Sequence, residues 1–220
     1  MPLYPELERL VEVMSTLRLQ CPWDRQQTHR SLVPYLVEET CEVVEAVEGL
    51  PGESVAAAGP AAAHLREELG DLLLQVVFHA QLASEVDDGF DLEDVAGGIS
   101  DKLVARHPHV FGDAEARSAE HVEASWDRIK TAEKGRTSVL DGIPPGLPAL
   151  ASAEKLLGRV ERAGLDVPVP RPGELEGPAG LGDSLLVLVA DARSAGLDPE
   201  AELRHAVRRY ARRVRAAEPQ

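Results

Sequence analysis

The segment LVEETCEVVEAVEG, residues 36 to 49, carries glutamates at 38, 39, 42, 45 and 48 between valine, leucine and alanine. A second acidic group, Glu68 and Asp71, stands in HLREELGDLLLQVVFHAQLA, residues 64 to 83. Positions three or four apart on a helix share a face. Taken alone, Glu38, Glu39, Glu42 and Glu45 form the solvated stripe of an amphipathic helix, opposite Leu32, Leu36, Thr40, Val43 and Val47. The second segment changes that reading. Beyond Asp71 it is apolar nearly all round, the pattern of a central helix, with Gln75 one turn further on. Buried carboxylates without partners are strongly unfavourable. Two such acids facing Glu39 and Glu42 from an adjacent antiparallel helix would repel, and a divalent cation removes the repulsion. An oxygen-only ligand set favours magnesium or manganese over zinc or copper, and magnesium commonly shares its shell with substrate phosphates.

Cations follow the acids. Lys102 and Arg106 are four residues apart on one expected helix, and Trp126 and Lys130 on the next. Isolated, such pairs are ordinary solvated faces. Beside an acidic metal cluster they are suited to holding phosphates, with Trp126 either stacking on a base or filling the core. His107 and His109 flank Pro108 at a helix end, where capping explains them as well as catalysis does. Gly97 and Gly98 inside a helix weaken it, which suggests a close helix approach or a kink. A di-iron bundle would need two Glu-x-x-His motifs, and Glu202 to His205 is a single one. The GDSL run at Gly182 to Leu185 mimics an esterase nucleophile but falls on an expected helix. No GxxxxGK[ST] occurs, so a nucleotide would be held without a P-loop.

The elements that must position these residues are helices. Periodicity and punctuation predict them from Pro5, from about Ser31 to Glu48, Ala62 to Ser84, Leu92 to His107 and Ala119 to Lys134, then Asp183 to Ala195 and Pro199 to Ala217. Proline and glycine crowd the stretch from Gly164 to Gly182, so regular structure is doubtful there. LGDLLLQVVFHAQ (69 to 81) and LGDSLLVLVADAR (181 to 193) match at seven of thirteen positions, which points to an internal duplication.

Composition agrees. The 220 residues are 44% hydrophobic and only 4% aromatic, a mixture that favours helix over sheet. A formal net charge of −15 argues against nucleic acid as a general partner. Cys21 and Cys41 make neither a disulfide framework nor a paired zinc motif. The opening MPLYPELERLVEV is acidic where a signal peptide is basic, and no stretch approaches the roughly 20 apolar residues of a membrane span. A cytoplasmic protein without a membrane partner is expected.

Glu38-Glu39-x-x-Glu42 followed by Glu68-x-x-Asp71 resembles the EExxE…ExxD signature of MazG nucleoside triphosphate pyrophosphohydrolases. CPWDRQQTHRSLVPYLVEE, ISDKLVARHPHVFGD, ASWDRIKTAEK and LDGIPPGLPAL also resemble segments of that family, in order, from Leu17 to about Lys155. The resemblance implies an all-α fold in which two subunits pair into four-helix bundles, as a homodimer or larger assembly. It implies Mg2+-dependent hydrolysis (Mn2+ being an alternative) of NTPs or dNTPs to a monophosphate and pyrophosphate. It makes Glu39, Glu42, Glu68 and Asp71 the metal ligands and Glu38 the group that positions or deprotonates the attacking water. Lys102, Arg106, Trp126 and Lys130 would contact the nucleotide. The expected organisation is a catalytic domain over residues 1 to 135, a linker over 136 to 160, and a degenerate second copy over 161 to 220. That copy keeps Asp183 and a basic helix with Arg209 and Arg213, but has Gly180 in place of Glu68 and no EExxE helix. The alternative is a catalytically silent helical scaffold, against which the burial of Glu68 and Asp71 is the deciding feature.

Overall fold

A computed structural model describes residues 4–52, 59–113, 118, 122, 126, 129, 137–170 and 178–218. Among these residues every regular element is helical, so the all-α expectation holds. The chain divides into two compact units, Met1–Glu123 and Ala124–Gln220. No helix among the described residues is long and apolar enough to cross a membrane.

The first unit contains α1 (Pro5–Gln20), a single 3-10 turn at Asp24–Gln26, α2 (Val33–Glu48), α3 (Gly59–Ala83), α4 (Leu92–Arg106) and the short α5 (Pro108–Phe111). Local chemistry sets most boundaries. A proline lies in the first turn of α1 and of α2, where its missing N–H forfeits no helical bond. Gly49 ends α2. Asp91 and Asp94 form a reciprocal capping box at the start of α4. His107 closes α4, its Nδ1 donating to the Leu103 carbonyl at 2.6 Å, so this histidine acts as a cap.

Met14 of α1, Leu32 before α2 and Val77, Phe78 and Leu82 of α3 make the core, with Leu10, Val11, Leu74 and Leu92 packed against it. α3 is therefore the central element, contacted by α1, α2 and α4. The sequence predicts a helix buried nearly all round; three neighbours do not suffice for that, and Leu69, Leu73 and Val76 remain exposed along one line of α3.

The inward stripe of α2 also differs from expectation. Leu32, Leu36, Glu39, Val43 and Ala46 form a buried or half-buried stripe, with Val44 and Glu48 half-buried beside it, whereas Thr40 and Val47 are exposed. The observed stripe steps by four and three in strict alternation where the expected one takes two fours before its three, so the two part by one position at Glu39 and again at Ala46. The correction matters because Glu39 lies within the packed stripe and not on the solvated one. Gly97 and Gly98 also differ: α4 runs through both, and nothing lies within 4 Å of a Cβ built at either, so neither serves a close approach among the described residues.

Arg18 ties the connection between α1 and α2 to the far end of α3. Its Nε and Nη2 donate to Glu85 at 2.8 and 2.6 Å, and its Nη1 donates to the Asp24 carbonyl. Its guanidinium also stands 5.9 Å from the centre of the Phe78 ring.

The second unit contains α6 (Ala149–Arg162), α7 (Pro178–Ser194) and α8 (Pro199–Ala217), each packed on the other two. α6 falls almost wholly within the stretch read as linker, 136 to 160, and runs two residues into the expected second copy. The proline-rich LDGIPPGLPAL dominates that reading, although ASAEKLLGRVER after it is good helix-forming sequence. Arg193 of α7 pairs with Glu154 and Glu161 of α6 and lies over Gly158, where a Cβ would stand 2.7 Å from its Nη1. Ser184 of the GDSL run donates to the Gly180 carbonyl at 2.8 Å inside α7, as a helix residue does. The helix expected over 119 to 134 lies largely outside the described residues; Val122, Trp126 and Ile129 within it are helical.

Candidate functional site

α2 and α3 pack against each other as a hairpin. Glu39 feels Asp71, and Glu68 feels Glu42. A step up α2 is thus a step down α3, so the two run antiparallel and the acids of one helix meet those of the other. Glu39, Glu42 and Glu68 each bring a carboxylate oxygen to within 4.8 Å of the other two. No other group of three potential ligands is found among the described residues.

Glu68 is 8% exposed, the deepest of the three, Glu39 is half-buried and Glu42 is exposed. Asp71 differs from the sequence expectation. It is exposed. It lies close enough to raise both Glu39 and Glu68 electrostatically but outside the tight trio. One turn past the buried Glu68, it lies at the outer flank of the seam, on the side of α3 away from the exposed line of Leu69, Leu73 and Val76. Glu38 is exposed beside the trio and contributes to the repulsion at Glu39.

The electrostatics follow from this crowding. Loss of water, then repulsion by Asp71 and Glu42, holds the Glu39 carboxyl above the usual carboxylate range. Loss of water, then Glu42, raises Glu68, opposed by His64. His64 Nδ1 stands 3.1 Å from Glu68 Oε1, one turn earlier on α3. His64 was not anticipated from the sequence. Its signal was available, since His64 and Glu68 are four residues apart, but acids were paired there only with acids.

The donor set is suited to a hard divalent cation. All donors are carboxylate oxygens, they converge, and they carry more negative charge than the site can hold without a partner. Lys102 and Arg106 do not belong to the cluster: Lys102 is exposed on α4, and Arg106 is buried at the end of that helix. Trp126 is half-buried and belongs to the second unit. Lys130 lies outside the described residues.

The same interhelical seam continues past the acids. Tyr35 lies one turn before Glu39 and Gln75 one turn after Asp71, so the antiparallel register brings their levels together. Trp23, in the loop before α2, makes edge contacts with Tyr35 at 5.8 Å and Phe78 at 6.5 Å between ring centres. Next come His29 and His79, stacked with Nδ1 atoms 2.8 Å apart.

Comparison with known proteins places these features in a wider setting. The model of the MazG nucleotide pyrophosphohydrolase domain matches residues 27–111, which include the acid trio and Asp71. An uncharacterized 26.1 kDa protein of Streptomyces cacaoi is 50% identical over 212 residues, covering 95% of this chain and 81% of that protein. The nucleoside triphosphate pyrophosphohydrolase/pyrophosphatase MazG of Thermotoga maritima is 38% identical over 233 residues, covering 96% of this chain and 85% of that protein. The nucleoside triphosphate pyrophosphohydrolase of Escherichia coli is 44% identical over 167 residues, covering 73% of this chain and 59% of that enzyme.

Proposed function

The chain belongs to the MazG nucleotide pyrophosphohydrolase family, and on that premise we propose that it hydrolyses nucleoside triphosphates to a monophosphate and pyrophosphate with Mg2+ at the α2–α3 acid cluster. The observation that carries this reading is the convergence of Glu39, Glu42 and Glu68 within 4.8 Å. A silent scaffold has no use for a buried Glu68 raised by its neighbours, and His64 alone does not offset the three carboxylates around it.

Glu39, Glu42, Glu68 and Asp71 would hold the cation, with Mn2+ a chemically adequate substitute. When bound, the cation withdraws charge from the phosphates and makes water more acidic. The chain's own groups do the rest. Glu38 is exposed at the edge of the cluster, where it accepts a proton from the attacking water or orients it. Lys102 and Arg106 stabilise the charge that builds on departing pyrophosphate. The second unit, with Asp183 and no acid trio among its described residues, is read as a degenerate copy that binds no catalytic metal. The exposed line of Leu69, Leu73 and Val76 supports pairing with a second copy of the chain.

The test is a product assay. Purified protein incubated with each common NTP and dNTP, with Mg2+ or EDTA, is resolved by anion exchange. Metal-dependent monophosphate plus pyrophosphate is the expected result; diphosphate plus orthophosphate would place the cleavage at the wrong bond. Glu42→Gln is expected to lower turnover about 100-fold, the upper end of what disturbing a metal site's supporting groups costs, while the far-ultraviolet dichroism stays that of the parent. Undiminished turnover in that variant would remove Glu42 from the metal set.

A further inference from the structure

Two buried polar atoms on α3 stand one turn apart without partners. Gln75 is 5% exposed, and its Oε1 has no hydrogen-bond partner among the described residues. Four residues on, His79 Nε2 is likewise buried and unpartnered. Buried polar groups are nearly always satisfied, so two adjacent exceptions call for an explanation. Neither contributes to the acid cluster, but both continue its seam. At about 1.5 Å per residue, Gln75 lies roughly 6 Å and His79 roughly 12 Å beyond Asp71 along α3.

The surroundings are aromatic. Tyr35 faces the level of Gln75 from α2, and Trp23 bridges Tyr35 and Phe78 while keeping 49% of its own surface exposed. At the far end, the exposed His29 offers Nδ1 to the Nδ1 of His79 at 2.8 Å. A hydrogen bond there needs one proton between two nitrogens. If His29 donates it, His79 is fixed as the tautomer that carries its hydrogen on Nε2. The seam then presents, beyond the acids, a neutral acceptor and a neutral donor beside an exposed indole. Charged groups would suit phosphate. An uncharged acceptor–donor pair flanked by aromatic surface suits a heterocycle.

We propose that Gln75 and His79 bind the base of the nucleotide substrate, in a subsite walled by Trp23 and Tyr35 and reached across the sugar from phosphates at the acid cluster. This rests on the triphosphate reading above and adds to it the residues that hold the nucleoside end. Gln75 Oε1 accepts from an N–H of the base, and His79 Nε2 donates to an adjacent ring nitrogen or carbonyl. Every common base offers such a neighbouring pair on one edge, so the subsite orients the base and leaves discrimination to its shape.

Inorganic tripolyphosphate separates this role from phosphate binding, because it has no base. For the full chain with Mg2+, Gln75→Leu and His79→Phe are expected to raise KM for NTPs about 10-fold, the scale of one net hydrogen bond lost. The inhibition constant of tripolyphosphate should not change. Parallel losses for both ligands would mean that the residues support the acid cluster or the fold. No change in either would mean that an ordered water alone satisfies the two atoms. Each of those results overturns the proposal. Should a variant fail to fold, the unmodified protein still decides: an NTP analogue resistant to hydrolysis must shift the Gln75 amide and His79 ring resonances, and tripolyphosphate must not. Wild-type protein that yields no monophosphate and pyrophosphate from any NTP brings down the activity itself, whereas wild-type turnover with indifferent variants brings down only the base subsite.

Discussion

A carboxyl crowded by other carboxyls and removed from water gains by keeping its proton, and Glu39 is such a group. Its folded-state pKa lies above the ordinary value, so protonation is favoured more in the folded than in the unfolded chain. Its favourable contribution is fully present below the unfolded pKa of about 4.3 and is lost as pH rises through the raised folded value. At neutral pH without metal, wild-type protein therefore carries a penalty at this position. Glu39→Gln removes the charge and keeps the shape. In EDTA the variant is expected to melt above wild type at pH 7 to 8, with the difference closing as pH falls toward 4. Adding Mg2+ should reverse the order, raising the wild-type melting temperature more than that of the variant. Melting curves followed by circular dichroism across that pH range, with and without Mg2+, measure both effects. A variant that melts lower than wild type in EDTA at every pH would mean that Glu39 makes a favourable contact with the chain. That outcome would contradict the electrostatic account of the trio.

Among elements, the connection from α1 to α2 has the most specific support. Arg18 ties the Asp24 turn to Glu85, and the pair holds Glu85 below and Arg18 above their ordinary pKa values, chiefly through the hydrogen bond between them. Arg18→Leu would leave the Asp24 carbonyl and the Glu85 carboxylate without their donor. The expected destabilisation is about 1–3 kcal/mol, since Glu85 is partly exposed and can recover water. Urea unfolding measures it, and hydrogen exchange should quicken first over residues 21 to 32; a uniform change along the chain would deny Arg18 its local role. This element also marks what the sequence made legible. Helix starts and stops at Pro5, Gly49, Pro108 and Pro199 were readable because proline and glycine act within a turn of themselves. The acid pairs were readable because spacing along a helix is local too. The inward stripe of α2 was not, because a shift of one position between Thr40 and Glu39 depends on the helix across the seam. Nor was the exposure of Asp71, or the approach of His64 to Glu68, since both depend on how far α3 is covered. The clamp itself joins Arg18 to Glu85, residues far apart in sequence with no shared motif to connect them.

At the scale of the molecule, the open line on α3 is the least settled feature of the first unit. Leu69, Leu73 and Val76 are four and three residues apart, so they form one continuous ridge on an otherwise central helix. On α4, Ile99 and Leu103 are likewise exposed at a spacing of four. A ridge of this kind on the central helix of a monomer would invite nonspecific association, while a matching ridge on a second copy buries both. The two α2–α3 hairpins would then form a four-helix bundle with the apolar ridges inside it. Wild-type protein is expected to elute as a dimer or larger assembly in size-exclusion chromatography with light scattering. Leu73→Glu places a charge at the middle of the ridge, where the single chain already leaves the side chain partly in water. That variant should shift to the mass of one chain and keep its helical dichroism. Its binding of Mg2+ should persist, because the acid trio is assembled from one chain alone. A wild-type protein that runs as a monomer would reject the bundle. If Leu73→Glu stays at the wild-type mass while remaining folded, the contact between copies lies on another face.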